Sequence, residues 1–216
     1  MSYIKLHPLY LPEILTEILS YLAEDKTLYP TLFVNRLWYL YSAPILWRRV
    51  EFVDNGYKKP SINWKKFKDI IHTRNPPYIS KLNDLCVSRC KVSSGTLYKI
   101  RDLCSNLRHL TISYCHGFSS RTIGKIIHLN LTYLKFRNNT SRPHKRRHHI
   151  RDKTIREIAS LCPNLTYLYL RYSNNISDIS IIEIAKSCKK IEYINIGGLG
   201  ITDVSLKEIA HLCPNL

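Results

Sequence analysis

Acidic residues are scarce in this chain of 216 residues: Asp and Glu number 16 against 33 Lys and Arg, so the formal net charge is +17. The N-terminus lacks the basic head, unbroken apolar stretch and small-residue cleavage site of a signal peptide. No apolar run approaches the roughly 18 residues that cross a bilayer. Seven cysteines, an odd number without an export signal, are typical of reduced thiols. These absences predict a soluble protein of the cytoplasm or the nucleus.

The basic excess is confined to the middle of the chain. Residues 54–151 carry 21 basic and four acidic side chains, whereas the segments on either side are balanced. The densest part is RPHKRRHHIR at residues 142–151. Such a segment is either a solvated loop or a surface that attracts nucleic acid, a membrane or an acidic protein. Hydrophobic residues make up 44% of the chain, which excludes wholesale disorder.

An internal repeat of the form L-x-x-L-x-L runs from residue 82 to the end. Its copies begin 25, 24, 34, 26 and 25 residues apart, a period typical of leucine-rich repeats. No single copy can bury its own apolar face, so stacking of neighbours makes the core. We therefore predict an α/β leucine-rich-repeat solenoid over residues 81–216, with five units and the start of a sixth. The copies begin at Leu82, Leu107, Leu131, Leu165, Ile191 and Leu216.

The second half of each copy predicts a helix. A polar column precedes apolar residues at helical spacing, as in Asp152 followed by Ile155, Ile158 and Ala159. Side-chain oxygens of this kind accept the free N–H groups of a first helical turn, so we predict that the column caps the helices. Each unit is then a strand, a turn and a helix. The column consists of Ser94, Ser120, Asp152, Asp178 and Asp203.

The cysteines follow the repeat. Cys104, Cys162, Cys188 and Cys213 close helices, while Cys90 and Cys115 end strands. The pattern resembles the cysteine-containing class of leucine-rich repeats, which implies a buried ladder of thiols. The alternative is a metal site built from Cys86 and Cys90, from Cys115 and His116, or from the histidines His144, His148 and His149. Paired zinc-ligand spacings are missing, so we predict packing, with no metal and no cofactor.

Two features interrupt the solenoid. The third copy carries about nine extra residues, the basic insertion at residues 139–149, between its strand and its helix. Insertions of this kind lie at the rim of a solenoid, often near a binding face. The ending HLCPNL opens another copy without a capping unit, so we expect the solenoid to continue in a longer protein.

The N-terminal segment is an apolar helical region. Leu11, Pro12 and Glu13 are typical of a helix start, and apolar residues follow at helical spacing as far as Leu22. We expect a second helical stretch through Leu32, Val34, Leu37, Trp38 and Leu40. About 45 residues with so broad an apolar surface need a partner, which is either the solenoid itself or another protein.

The motifs LPEILTEILSYL, LFVNRLW and APILWRRV, in this order, resemble an F-box over residues 8–50. Followed by leucine-rich repeats, the chain resembles the F-box/leucine-rich-repeat substrate receptors of cullin-based SCF ubiquitin ligases, of fungal type. The resemblance implies a non-catalytic subunit that docks on a Skp-type adaptor, and through it on a cullin. The alternative is an ordinary helical cap for the solenoid. The implied adaptor-binding residues are Leu11, Pro12, Ile14, Leu15, Ile18, Leu19, Leu22, Val34 and Trp38.

In L-x-x-L-x-L the residues between the leucines face outward. Tyr and Arg are the residues that most often anchor interfaces, and both recur in the outward columns. We predict a surface that binds an acidic or phosphorylated protein substrate. Alternatively, the tyrosines reflect β-propensity alone. The candidate substrate-binding residues are His109, Tyr133, Lys135, Arg137, Tyr167, Tyr169, Arg171 and Tyr193.

Residues 54–80 are predicted to be a linker with a helix that covers the first repeat, because Trp64, Phe67 and Ile71 share one helical face.

Two rival functions stay open. The basic middle suggests a nucleic-acid-binding repeat protein, although no recognised nucleic-acid motif accompanies it. An F-box protein can also serve as a scaffold outside the ligase.

Overall fold

The computed structural model describes residues 9, 11–25, 27–54, 62–73, 77–127, 131–137, 150–171 and 176–216. The predicted basic insertion at residues 139–149 lies outside the described residues. In chain order the elements are α1 (Pro12–Glu24), a 3-10 helix (Tyr29–Phe33), α2 (Arg36–Arg48), β1 (Arg49–Val53), α3 (Ile62–Thr73), a second 3-10 helix (Ile79–Lys81), β2 (Asp84–Ser88), α4 (Ser94–Leu103), β3 (His109–Ser113), α5 (Ser120–Ile126), β4 (Tyr133–Arg137), α6 (Asp152–Leu161), β5 (Tyr167–Tyr169), α7 (Asp178–Ser187), β6 (Tyr193–Asn195) and α8 (Asp203–Leu212).

Strands β1 to β6 form one parallel sheet in chain order, and the helices that follow them pack against their neighbours in the same order. The leucines of the repeat point into the core, where Leu85, Leu110, Leu134 and Leu168 are fully buried. The residues between them lie on the opposite side, which we call the open face. This architecture confirms the predicted α/β repeat with parallel strands.

Strand β1 was not predicted. Arg49 pairs with Asp84 and Val53 with Ser88, so β1 adds a rung before the first repeat. Helix α3 then packs on α4, and its Trp64, Phe67 and Ile71 are buried in the solenoid core, as predicted for this helix. The segment interpreted as a linker therefore contains a helix that belongs to the stack.

The predicted caps are offset by one residue. Ser93 and Ser119 have extended backbones, and their hydroxyls accept the N–H groups of Thr96 and Thr122. The residues that we expected to cap, such as Ser94, are the first helical residues instead, because they already have helical geometry. The cap positions of the five repeat helices are Ser93, Ser119, Arg151, Ser177 and Thr202.

The residues of this predicted column connect successive repeats. Ser120 Oγ lies 2.7 Å from the buried hydroxyl of Thr154, and Ser94 Oγ lies 2.8 Å from that of Thr122. In the next repeat the hydroxyl of Ser180 donates to a carboxylate oxygen of Asp152 at 2.7 Å. A line of hydrogen-bonded polar side chains therefore runs along the helical layer.

The thiols form the buried ladder that the repeat implies. Cys104, Cys162, Cys188 and Cys213 are buried and free, and Cys188 Sγ donates to the carbonyl of Cys162 at 3.3 Å. Burial raises the pKa of Cys104 and of Cys162 to about 12, which keeps them as thiols. Among the described residues no three His, Cys, Asp or Glu side chains are grouped to hold a metal ion.

The N-terminal helices form a helical module (residues 11–48) with a small core of its own around Leu15, Leu19 and Leu28. The second helical stretch starts later than expected: a 3-10 helix occupies Tyr29–Phe33, and the Asn35 side chain then caps α2 by accepting the N–H of Trp38 at 3.0 Å. Within the described residues, no helix combines the length and the apolar character needed to cross a bilayer.

Candidate protein-binding surfaces

An aromatic stack crosses the open face. Tyr133 and Tyr167 lie 4.0 Å apart between ring centroids and within 10° of parallel, and Tyr167 and Tyr193 lie 4.3 Å apart within 5°. The His109 ring continues the row 5.5 Å from Tyr133. Parallel pairing places these four residues on adjacent strands, and the spacing of strands, roughly 4.8 Å, matches that of stacked rings. The predicted column is therefore one continuous surface.

Tyr167 lies at the centre of this stack. Burial, followed by the neighbouring hydroxyls of Tyr133 and Tyr193, raises the pKa of its phenol above the ordinary value. Tyr193 at the outer end is exposed, whereas Tyr133 and Tyr167 are half-buried. The stack thus presents ring edges and hydroxyl groups, which suit hydrogen bonding to a partner chain.

Tyr169 and Lys135 contact each other. Lys135 Nζ lies 5.3 Å from the centroid of the Tyr169 ring, a cation–π contact, and the tyrosine is only 8% exposed. Tyr169 was predicted to bind substrate directly, but so little of it is accessible that it supports Lys135 instead. Lys135 is half-buried, and its ammonium group lies over the Tyr169 ring on the open face.

Arg137 takes part in a second cation–π group at the carboxyl ends of β2 to β4. Its guanidinium lies 4.9 Å from the ring centroid of Tyr114, and that of Arg89 lies 5.9 Å from the same ring. The Nε atom of Arg137 is buried without a hydrogen-bond partner among the described residues. Sequence reasoning missed Arg89 and Tyr114, which have positive φ angles of 58° and 57° directly after their strands.

The remaining candidates differ in their surroundings. Strand β5 ends at Tyr169, so Arg171 lies beyond its strand, half-buried and close to Gly197. His109 lies beside an acidic residue: its Nδ1 is 3.8 Å from a carboxylate oxygen of Asp84, which also contacts Arg49 at 3.4 Å. Asp84 therefore lies close to both Arg49 and His109, whereas Lys135 and Arg137 on β4 have no carboxylate within ion-pair distance among the described residues.

The helical module exposes apolar side chains, but not all of those predicted. Leu11, Pro12, Ile14 and Val34 are exposed, as an adaptor contact requires. Leu15 and Leu19 are fully buried in the core of the module, so the prediction that they contact an adaptor is wrong: the same helical face packs on α2.

Other apolar residues of the module were missed. Phe33 is 72% exposed and forms an edge-to-face contact with exposed Tyr29, their centroids 5.4 Å apart; Leu40 on α2 is also exposed. Ile18, Leu22 and Trp38 are half-buried, and the last two pack against the module core. The exposed large apolar residues of the module, among those described, are Leu11, Ile14, Tyr21, Tyr29, Phe33, Val34, Tyr39 and Leu40.

Residues 163–216 match the family model for leucine-rich repeats, in a form that spans two copies. The matched region contains β5, α7, β6 and α8, which belong to the last two strand–helix units of the described sheet. The match agrees with the predicted repeat in this part of the chain. Leucine-rich repeats generally mediate protein–protein interactions, which directs attention to the open face.

Proposed function

We propose that this chain is the substrate-recognition subunit of an SCF-type ubiquitin ligase. In this proposal residues 8–50 are an F-box that docks on a Skp-type adaptor, and the repeats hold an acidic or phosphorylated protein for ubiquitination and proteasomal degradation. The chain itself is not an enzyme, because the adaptor and cullin complex supplies the chemistry. The observation that carries the proposal is the exposed apolar surface of the helical module beside a protein-binding solenoid.

The apolar surface supports docking on another protein. Phe33 and Val34 are 72% and 56% exposed at the tight turn between the helices, and Leu11 just before α1 and Ile14 on α1 are also exposed. Several large apolar side chains left in water on one small module are typical of an interaction site. Buried Leu15 and Leu19 hold the helices that present these side chains.

The charge of the open face supports an acidic substrate. Lys135 and Arg137 come from β4, and Arg171 follows β5. Among the described residues Lys135 and Arg137 form no ion pair with a carboxylate of the chain. Guanidinium groups bind phosphate and carboxylate through two parallel hydrogen bonds, and the tyrosine hydroxyls next to them add donors. A phosphoserine or glutamate-rich segment fits this set.

Adaptor capture tests the first half of the proposal. Changing Phe33→Ser and Val34→Ser together should reduce capture of a recombinant Skp-type adaptor more than tenfold, because each loses a desolvated apolar contact. Val204→Ser on α8 is the matched control, since Val204 is 59% exposed. Circular dichroism checks that both proteins fold. Undiminished capture by the double variant contradicts the assignment.

Affinity purification with the proteasome inhibited tests the second half. Acidic proteins should be enriched on the wild-type chain and lost from the triple variant Lys135→Gln, Arg137→Gln and Arg171→Gln, while the adaptor and cullin are retained. The control variant Lys153→Gln, which removes the charge of one exposed lysine, should still enrich the acidic proteins. Adaptor recovered without cullin favours a scaffold outside the ligase. Nucleic acid recovered instead, with steep loss at higher salt, favours the nucleic-acid alternative.

A further inference from the structure

A further surface, lined by other residues than the open face and the exposed apolar set of the helical module, lies where α2 meets the sheet. It is a hollow of about 350 Å³ between the end of α2 and the segments that lead into β2 and β3. Pro44 and Ile45 of α2 form an apolar wall. The polar side is lined mainly by Arg48, Asn83 and Arg108. Lys81, the last residue of the second 3-10 helix, also lines it. The hollow is open to solvent, and five of the seven residues that line it are polar.

The register of the sheet brings these polar residues together. Arg48, Asn83 and Arg108 each directly precede a strand, and β1, β2 and β3 are neighbours. The N–H of Asn83 donates to the carbonyl of Arg48, and the N–H of Arg108 donates to the carbonyl of Asn83, both at 2.9 Å. Asn83 therefore lies between two arginines that precede the neighbouring strands. Backbone hydrogen bonds to both arginines fix its position.

The pocket is positively charged without compensation. Its lining includes Arg48, Lys81 and Arg108 and no carboxylate from the described residues. None of these three cations forms an ion pair within the described part of the chain. All three residues are exposed, so solvent weakens their mutual repulsion, and a multivalent anion between them gains attraction from all three.

Asn83 also has an unused acceptor. Its Oδ1 atom is buried and receives no hydrogen bond from any described residue. A buried acceptor without a donor costs free energy, which a donor on a ligand would recover. The pocket therefore fits a ligand that carries an anionic group with a hydroxyl or amide N–H close to it.

We propose that this pocket binds a phosphate monoester that carries a hydrogen-bond donor beside the phosphate. A monoester has nearly two negative charges and three terminal oxygens, which suits three cations better than the single charge of a carboxylate. A rotation of the half-buried Asn83 side chain would bring Oδ1 to the donor, and the carbon skeleton would lie against Pro44 and Ile45. This site goes beyond the proposed receptor function, and its residues belong to neither of the surfaces assigned there.

Calorimetric titration of the full chain tests the proposal with two probes. Glucose 6-phosphate represents a free metabolite with hydroxyl donors, and a short phosphoserine peptide represents a protein segment with amide donors. We expect binding of at least one probe and none of glucose. The probe that binds more tightly identifies the source of the phosphate. Failure of both probes to bind at millimolar concentration would overturn the proposal.

Variants locate the binding. Arg48→Gln together with Arg108→Gln should weaken binding of the better probe at least tenfold, because each substitution removes charged hydrogen bonds to the phosphate. Asn83→Asp should do the same by adding a negative charge beside the phosphate. The control, Lys99→Gln with Lys153→Gln, removes the same charge at exposed helical positions and should bind normally. Equal weakening by the control, or full binding by both pocket variants, would refute the site.

Discussion

Asp152 connects one repeat to the next through its carboxylate. One oxygen accepts the N–H and the other the hydroxyl of Ser177, at 2.7 and 2.8 Å, and the hydroxyl of Ser180 donates to the first oxygen at 2.7 Å. These groups begin α7, whereas Asp152 begins α6. The substitution Asp152→Asn keeps the size and one acceptor oxygen but removes the charge. It therefore measures what the charged contact between two repeats contributes.

The expected loss follows from the three hydrogen bonds. A hydrogen bond to a charged group contributes about 1.5 to 3 kcal/mol and a neutral one about 0.5 to 1.5 kcal/mol, so each bond weakens by about 1 kcal/mol. We expect the free energy of unfolding to fall by about 2 to 3 kcal/mol in total. With a urea m-value of about 2 to 3 kcal/mol/M, the midpoint should move by about 1 M.

The loss should depend on pH. Burial by itself raises the pKa of Asp152, but the hydrogen bonds from Ser177 and Ser180 and the charge of Arg156 outweigh it, so the pKa is lowered. A carboxyl whose folded pKa lies below its unfolded value, about 3.9, stabilises the protein above that pH. Its contribution falls as the pH drops through the folded pKa. The difference between wild type and Asp152→Asn should be constant from about pH 5 to 8 and shrink below about pH 4.

Asp203 provides the matched control. It has the same place in the first turn of α8, is exposed and accepts no hydrogen bond from any described residue. Asp203→Asn should lose only its interaction with the helix dipole, about 0.3 to 1 kcal/mol. Urea unfolding followed by circular dichroism compares the two. If Asp152→Asn costs no more than Asp203→Asn, the carboxylate does not stabilise the contact between the repeats as argued.

Three further results are expected. Trp64→Phe should lower the free energy of unfolding by about 1 to 2 kcal/mol in urea, because it removes the 2.9 Å hydrogen bond from Trp64 Nε1 to the carbonyl of Lys91; an unchanged midpoint would contradict this. A thiol reagent should modify half-buried Cys86 before Cys104, and mass spectrometry of the native protein would refute the buried ladder if Cys104 reacted first. The pKa of Tyr167 is raised, so the phenolate absorbance that Tyr167→Phe removes from the alkaline titration should appear above about pH 10; a midpoint at or below that pH would disprove the raised pKa.

Periodicity explains why much of the repeat could be predicted. The L-x-x-L-x-L pattern predicts which residues of each copy are buried and which face outward. Parallel strand pairing at constant register then aligns the outward residues of successive copies. This is why Tyr133, Tyr167 and Tyr193 could be placed in one column before their stacking was seen. The thiols were predictable for the same reason, because they recur at one position of the unit.

Features that depend on single residues were harder to predict. Two polar residues stand in series at the helix starts, as in Ser93 and Ser94, and only backbone geometry decides which one caps the helix. The positive φ angles of Arg89 and Tyr114 carry no sequence signal, because neither residue is glycine. The burial of Leu15 was missed because helical spacing predicts an apolar stripe without saying which part packs internally.

Strand β1 does have a sequence signal. Trp47, Val50 and Phe52 stand at the spacing of L-x-x-L-x-L with every leucine replaced, and all three pack in or against the solenoid core. Because this copy was assigned to the helical module, Arg48 was not aligned with Asn83 and Arg108. The three residues are far apart in sequence, and only the sheet register makes them neighbours. The phosphate pocket thus depends on α2 continuing directly into β1. This connection places residues of the helical module and residues of the solenoid in the lining of one pocket.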